Sequence, residues 1–241
     1  MSSLDVLIQQ SINGLMLGIM YSLVAVGFTL YFGVLNVINF SHGDFYMLGS
    51  FMALVLVSAA EALGWVHNSI AYILFLFAGS MILTSLIGVL AARLAVKPVL
   101  KAPMLISLLV TLGLGIAIRE AVRVLFPRGS DPKGFPALFP QGAFQVGGVI
   151  IRYENIIILA IGVLMIVAVS LLINKTRIGS AIRAVAQDSE AAMMMGVNME
   201  STIDITFIIG SAVAAVAGIL NGIYYGQVMF NMGAIAGVIG F

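Results

Sequence analysis

The sequence contains no cysteine and very little charge. The lack of cysteine excludes a disulfide framework and thiol-ligated metal sites. Only 9% of the 241 residues are charged, whereas soluble domains carry roughly 25%. The 11 Lys and Arg nearly balance the 10 Asp and Glu, so no strongly basic face is available to bind nucleic acid. So little charge also excludes a water-solvated surface over most of the chain.

Apolar residues take the place of the missing charge. They make up 61% of the chain and recur in long runs along nearly its whole length. We therefore predict an all-α, polytopic transmembrane bundle that forms a single domain over residues 1–241. A spanning helix needs about 20 mostly apolar residues. This criterion selects 12–35, 69–92, 102–125, 154–173 and 203–226.

A polar string separates the first two of these segments. It is followed by an apolar run, Phe45 to Ala60, of marginal length for a crossing. We interpret 36–63 as an interrupted second crossing, because unwound backbone is tolerated at membrane depth where protein or a water-filled cavity surrounds it. Intramembrane polar groups are costly, so the string is predicted either to line or gate a translocation path or to support the broken helix. Its polar members are Asn39, Ser41, His42 and Asp44.

Basic residues give only a weak indication of sidedness. Arg93, Lys97 and Lys101 fall on the same side as the segment 174–204, which the positive-inside tendency makes cytoplasmic. The opposite segment, 119–152, is also basic, and its four prolines and paired Gly147–Gly148 predict an extracytoplasmic loop with a short hairpin. Arg119, at the end of a crossing, is expected to snorkel or to form an ion pair near the membrane interface.

Small residues recur at four-residue spacing in the last predicted crossing. Such a row lets another helix approach the backbone closely. We predict packing within the subunit, with a subunit interface or a path lining as the alternatives. The row consists of Gly210, Ala214, Gly218, Gly222 and Gly226.

The segment 174–204 contains residues that typically begin and end helices, and it is predicted to form two short helices. Asp188 is a predicted N-cap with Glu190 in the first turn, Gly196 a predicted C-cap, and Asn198 the N-cap of the next crossing. Both short helices have apolar faces, which predict a docking surface for a soluble partner, or else an amphipathic loop lying on the membrane. The apolar residues are Ile182, Val185, Ala191, Ala192, Met194 and Met195.

Three segments also carry recognisable motifs. The first two are Asn13 to Leu30 and, almost directly after it, Gly33 to Gly49 with its Asn-Phe-Ser-His-Gly-Asp string; the third is Thr176 to Val197. Together they resemble the branched-chain amino-acid permeases of ATP-binding-cassette importers, over most of residues 11–226. Ser180 departs from the pattern, since a basic residue is frequent there. Members of this family usually continue beyond a point like Phe241, so further helices are expected after it.

The resemblance implies a multi-pass subunit of the bacterial inner membrane. Its partners would be a homologous second permease, two cytoplasmic ATPase subunits and an extracytoplasmic solute-binding protein, which could contact the loop after Arg119. Leucine, isoleucine and valine are the implied substrates, although related permeases carry other amino acids, amides or urea. The residues implied in ATPase coupling are Ile182, Val185, Asp188, Glu190, Ala191, Ala192, Met195 and Gly196.

Catalytic and metal roles find little support in the sequence. It contains no G-x-x-x-x-G-K-[ST] phosphate loop, so any ATP hydrolysis must occur in another polypeptide. No convincing nucleophile and base are paired, and His42 with His67 makes a weak zinc signal, so we expect neither a cofactor nor an enzyme. A self-sufficient channel or secondary transporter is the alternative function, although the polar string has no second copy that would mark inverted halves.

Overall fold

The protein is described by a computed structural model that covers residues 3–65, 69–100 and 102–241. His67 and Lys101 lie outside these described residues. Within them, six helices are long and apolar enough to cross a membrane. The predicted polytopic helical bundle is therefore confirmed. The crossings are α1 (Ser3–Leu35), α2 (His42–Ala62), α3 (Ile70–Ala91), α4 (Met104–Leu125), α5 (Tyr153–Lys175) and α8 (Met199–Tyr225).

The break predicted in the second crossing lies at its beginning. Helix α1 ends at Leu35, and Asn36 takes a left-handed conformation with φ of 50°. Residues 36–41 lie outside any helix, and α2 then runs without interruption from His42 to Ala62. The polar string therefore spans the break and the first turn of α2.

Helix α8 is at the centre of the bundle and packs against α1, α2 and α3. Its small residues allow this: Gly210 lies against the ring of Tyr31, and Gly218 lies against the carbonyl oxygen of Tyr46. Further along, Gly222 faces Phe135, while Gly226 ends the helix with φ of 66°. The four-residue row thus serves packing inside the chain along most of α8 and a chain reversal at its end.

Short strands mark one end of the bundle, which we call the hairpin end. Strands β2 (Ala143–Val146) and β3 (Val149–Arg152) pair antiparallel across the predicted glycine turn. Strand β1 (Lys133–Gly134) pairs with β4 (Gln227–Val228), which follows α8. After β4 the chain turns back into the bundle as α9 (Met232–Gly240) and packs on α1 and α2.

Two short helices form the other end, which we call the loop end. Helix α6 (Arg177–Gln187) is followed by α7 (Ser189–Met194). The Asp188 carboxylate accepts hydrogen bonds from the backbone N–H groups of Glu190 and Ala191, and the Asn198 side chain accepts one from Ser201. Gly196, with φ of 87°, follows α7. The caps predicted from the sequence are therefore present.

Helix α3 also continues towards the loop end, beyond the predicted boundary at residue 92. A π-helical turn, Ala92–Val96, and a 3-10 turn, Lys97–Val99, extend it. Both Arg93 and Lys97 form ion pairs with Asp204 of α8 at 2.8 Å. These two residues therefore join α3 to α8, whereas the sequence placed them in a connection.

Candidate gate and coupling surface

The four polar residues at the break are buried inside the chain. Ser41 donates from its Oγ to Asn39 Oδ1 at 2.6 Å and from its backbone N–H to the same oxygen at 3.2 Å. The other two, His42 and Asp44, lie in the first turn of α2. Local hydrogen bonds thus shape the unwound segment, which could not otherwise satisfy its polar groups at membrane depth.

The imidazole of His42 is enclosed by α1. Its Nε2 lies 3.1 Å from the carbonyl oxygen of Val24, and its ring meets the edges of Phe28 and Tyr31 at centroid distances of 4.9 and 5.0 Å. Gly27 leaves the space for the ring, because a Cβ there would overlap it. His42 therefore fixes the beginning of α2 against the middle of α1.

Asp44 and Arg119 form a two-point ion pair between α2 and α4. Arg119 Nε donates to Asp44 Oδ1 at 3.1 Å, and Arg119 Nη2 donates to Oδ2 at 3.2 Å. The side chains are 3% and 25% exposed. The sequence predicted that Arg119 snorkels or forms an ion pair near the membrane interface, without indicating the partner. Instead the guanidinium turns inward to the break.

Helix α9 closes over the same place. Gly233 and Gly237 lie directly against Gly43, so the two helix backbones meet without side chains between them. At the end of α9, the ring of Phe241 packs against Phe28 and Phe40, with centroids 5.8 and 6.1 Å apart. The beginning of α2 is therefore held by α1, α4 and α9 together.

Two buried nitrogen atoms of this cluster lack a hydrogen-bond partner among the described residues. They are Asn39 Nδ2 and His42 Nδ1. A buried donor or acceptor without a partner costs roughly 1–3 kcal/mol, so such groups call for an explanation. The hydrogen bonds of the break therefore leave part of the polar cluster unsatisfied.

At the loop end the structure divides the predicted coupling residues into two sets. Ile182 and Val185 are buried because α6 packs on α1, α5 and α8, and Ala192 is buried in α7, which packs on α6. Their apolar face is thus covered by the chain itself, and the expectation that it is open to a partner is wrong for these three. The exposed set comprises Asp188, Glu190, Ala191, Met195 and Gly196.

Three consecutive methionines at the end of α7 are highly exposed. Met193 is 49% exposed, Met194 87% and Met195 85%. Of the apolar residues predicted in this segment, Ala191, Met194 and Met195 are the exposed ones, and we call them the methionine surface. Large apolar side chains so exposed at the end of a bundle are available to a soluble partner or to the membrane surface. The sequence predicted an apolar face here, but only the structure separates its buried and exposed members.

Metal binding has no cluster of ligands to support it. Over residues 3–65, 69–100 and 102–241, no three His, Cys, Asp or Glu side chains gather where they could hold an ion. Asp44 and Asp204 are each paired with basic side chains. The arrangement consists of buried contacts around a break and an exposed apolar surface.

Comparison with known proteins gives consistent matches along the whole chain. A family model described as "Branched-chain amino acid transport system / permease component" matches residues 10–241. The chain is 35% identical to the high-affinity branched-chain amino acid transport system permease protein BraD of Pseudomonas aeruginosa, over 97% of this chain and 76% of that protein. The LivH permease proteins of Salmonella typhimurium and Escherichia coli K12 are 34% and 33% identical over the same shares. No solved structure matches the chain.

Proposed function

Because the chain belongs to the family of branched-chain amino acid transport permeases, we propose that it forms one half of the path of an ATP-driven importer for leucine, isoleucine and valine. The observation that carries this proposal is the family match over residues 10–241. The chain is a multi-pass inner membrane protein and a transport subunit, not an enzyme. A homologous second permease would supply the other half, and a solute-binding protein would dock at the hairpin end.

The segment 174–204 is the proposed ATPase-coupling loop. Its exposed methionine surface offers apolar area to a soluble partner, and methionine side chains adapt readily to a moving interface. Glu190 and Asp188 add charge at the edge of this surface, while Gly196 permits the tight exit from α7. Ile182 and Val185 act from the inside, because they fix α6 to the membrane helices, while α7 with Ala192 packs on α6. Displacement of α7 by an ATPase would therefore move the bundle.

The polar cluster at the break is the proposed gate. Asn39, Ser41, His42 and Asp44 are buried in the present arrangement, so they would reach a translocation path only when the beginning of α2 moves. The unpaired nitrogens of Asn39 and His42 favour such a movement. The gate therefore combines the two roles that the sequence left open, support in one state and path lining in the other.

Charge on the methionine surface tests the coupling proposal. The double substitution Met194→Glu and Met195→Glu should reduce co-purification of a co-expressed ATPase at least tenfold, because two carboxylates would have to be desolvated at the contact. ATP-dependent leucine uptake should fall in parallel. The matched control is Met194→Leu with Met195→Leu, which keeps the surface apolar and should retain both. Full ATPase binding and unchanged uptake in the glutamate variant would contradict the proposal.

A further inference from the structure

A small cavity lies at the hairpin end between α1, α2, α8 and α9. Its volume is about 260 Å³. Pockets for drug-sized ligands usually measure roughly 300–1,000 Å³, so this one suits a single small solute. Its lining includes Tyr21 of α1 and Tyr46 of α2, together with Met232 and Ala236 of α9. None of these positions was singled out by the sequence, because they come from distant crossings.

The cavity has a polar side and an apolar side. The polar side includes Tyr21 and Tyr46, which carry hydroxyl groups, and Asn221, which carries an amide. The apolar side consists of Met229, Met232 and Ile235, which the return segment and α9 supply. A solute with a polar head and a short apolar tail matches this division.

The lining is also free of charge among the residues that the structure describes around the cavity. A charged side chain would leave the solute with a net charge and no counter-ion there, which is strongly unfavourable, whereas the ammonium and carboxylate of an amino acid with a neutral side chain compensate each other. Neutral hydroxyl and amide groups instead hold a solute loosely enough to release it, as a transport route requires. Methionines adapt to apolar groups of different branching. These properties favour an amino acid with a neutral, branched side chain.

The cavity directly adjoins the proposed gate. Tyr46 is one helical turn beyond Gly43, and Met232 precedes Gly233, so the contact between Gly43 and Gly233 lies beside the cavity. Towards the loop end, the rings of Phe28, Phe40 and Phe241 follow. A solute in the cavity would therefore be stopped where α2 begins.

We propose that this cavity is a binding site for the transported amino acid on its way to the gate, and this rests on the proposed function. The branched side chain lies against Met229, Met232 and Ile235. Its polar head lies towards Tyr46 and Asn221. Movement of the break at 36–41 then opens the way to the loop end.

A photoreactive leucine analogue with a side-chain diazirine tests the assignment. The assembled importer is reconstituted in vesicles with its binding protein and illuminated during ATP-driven uptake of the analogue. Adducts are expected on Met229, Met232 or Ile235, and excess leucine should suppress them. The substitution Ala236→Leu fills the cavity, so it should lower both leucine uptake and these adducts at least tenfold.

A bulky substitution outside the cavity provides the control. Val238 is on the same helix but is 79% exposed, so Val238→Phe should leave the adducts in place. Adducts found only away from the lining, or an Ala236→Leu variant with normal leucine uptake, would overturn the assignment while the proposed function stands. Failure of the wild type to take up leucine, isoleucine and valine would instead overturn the proposed function, and this inference with it. If Ala236→Leu does not assemble, the wild-type adduct map alone decides.

Discussion

Replacing Asp44 with alanine is expected to destabilise the protein severely. The substitution leaves the Arg119 guanidinium at the break without its carboxylate, to which it donates two hydrogen bonds. Removing one partner of a buried ion pair costs about 3–5 kcal/mol, and we expect the lower end because Arg119 is 25% exposed. The midpoint of thermal unfolding of the purified, detergent-solubilised protein is the measurement.

A double substitution separates charge from shape at this pair. With Asp44→Asn and Arg119→Gln, both side chains keep hydrogen-bonding groups, and no charge is left uncompensated. Most of the lost stability should return in this variant, although transport should stay impaired if the pair belongs to the gate. An Asp44→Ala protein that unfolds at the wild-type temperature would show that the pair does not hold α2 to α4.

Leucine in place of Gly218 is expected to separate α2 from α8. The added side chain would occupy the position of the Tyr46 carbonyl oxygen, so it meets backbone, which cannot change rotamer. Overpacking of a core usually costs about 1–3 kcal/mol, and a contact between two backbones should exceed that range. The measured quantities are the yield of monodisperse protein after extraction and its thermal unfolding midpoint.

The matched control for this substitution is Gly18→Leu. Gly18 is also in a membrane-spanning helix, but a Cβ there would have no atom within 4 Å among the described residues. Its variant should be extracted in wild-type yield. If both leucine variants behaved alike, or if Gly218→Leu unfolded at the wild-type temperature, the close approach of α2 and α8 at Gly218 would be refuted.

Features set by neighbouring residues could be predicted from the sequence. The crossings follow from the length of the apolar runs, because lipid leaves few alternatives to a helix. The caps at Asp188 and Asn198 depend on side chains two or three residues from the groups they bind. The hairpin turn at Gly147 depends on a left-handed residue, which glycine supplies.

Features set by distant residues could not be predicted. Asp44 and Arg119 are 75 positions apart, and nothing in their local sequences links them. The apolar period of α6 predicts that Ile182 and Val185 are covered but cannot say whether by this chain or by a partner. Likewise, α1 extends ahead of its predicted apolar run, where Gln9 accepts a hydrogen bond from the backbone of Ile150, 141 positions away in the hairpin.

That long first helix has a mechanical consequence. With 33 residues it measures about 50 Å, which exceeds the hydrocarbon thickness of a bilayer. Gln9 ties one end to the hairpin, and Gly33 near the other end lies beside Ala186 of α6. A single helix therefore contacts elements at both ends of the bundle, and if α1 moves as a rigid body, a tilt at one end displaces the other. In that case, movement on one side of the membrane is transmitted to the other side through one helix, without a series of side-chain rearrangements.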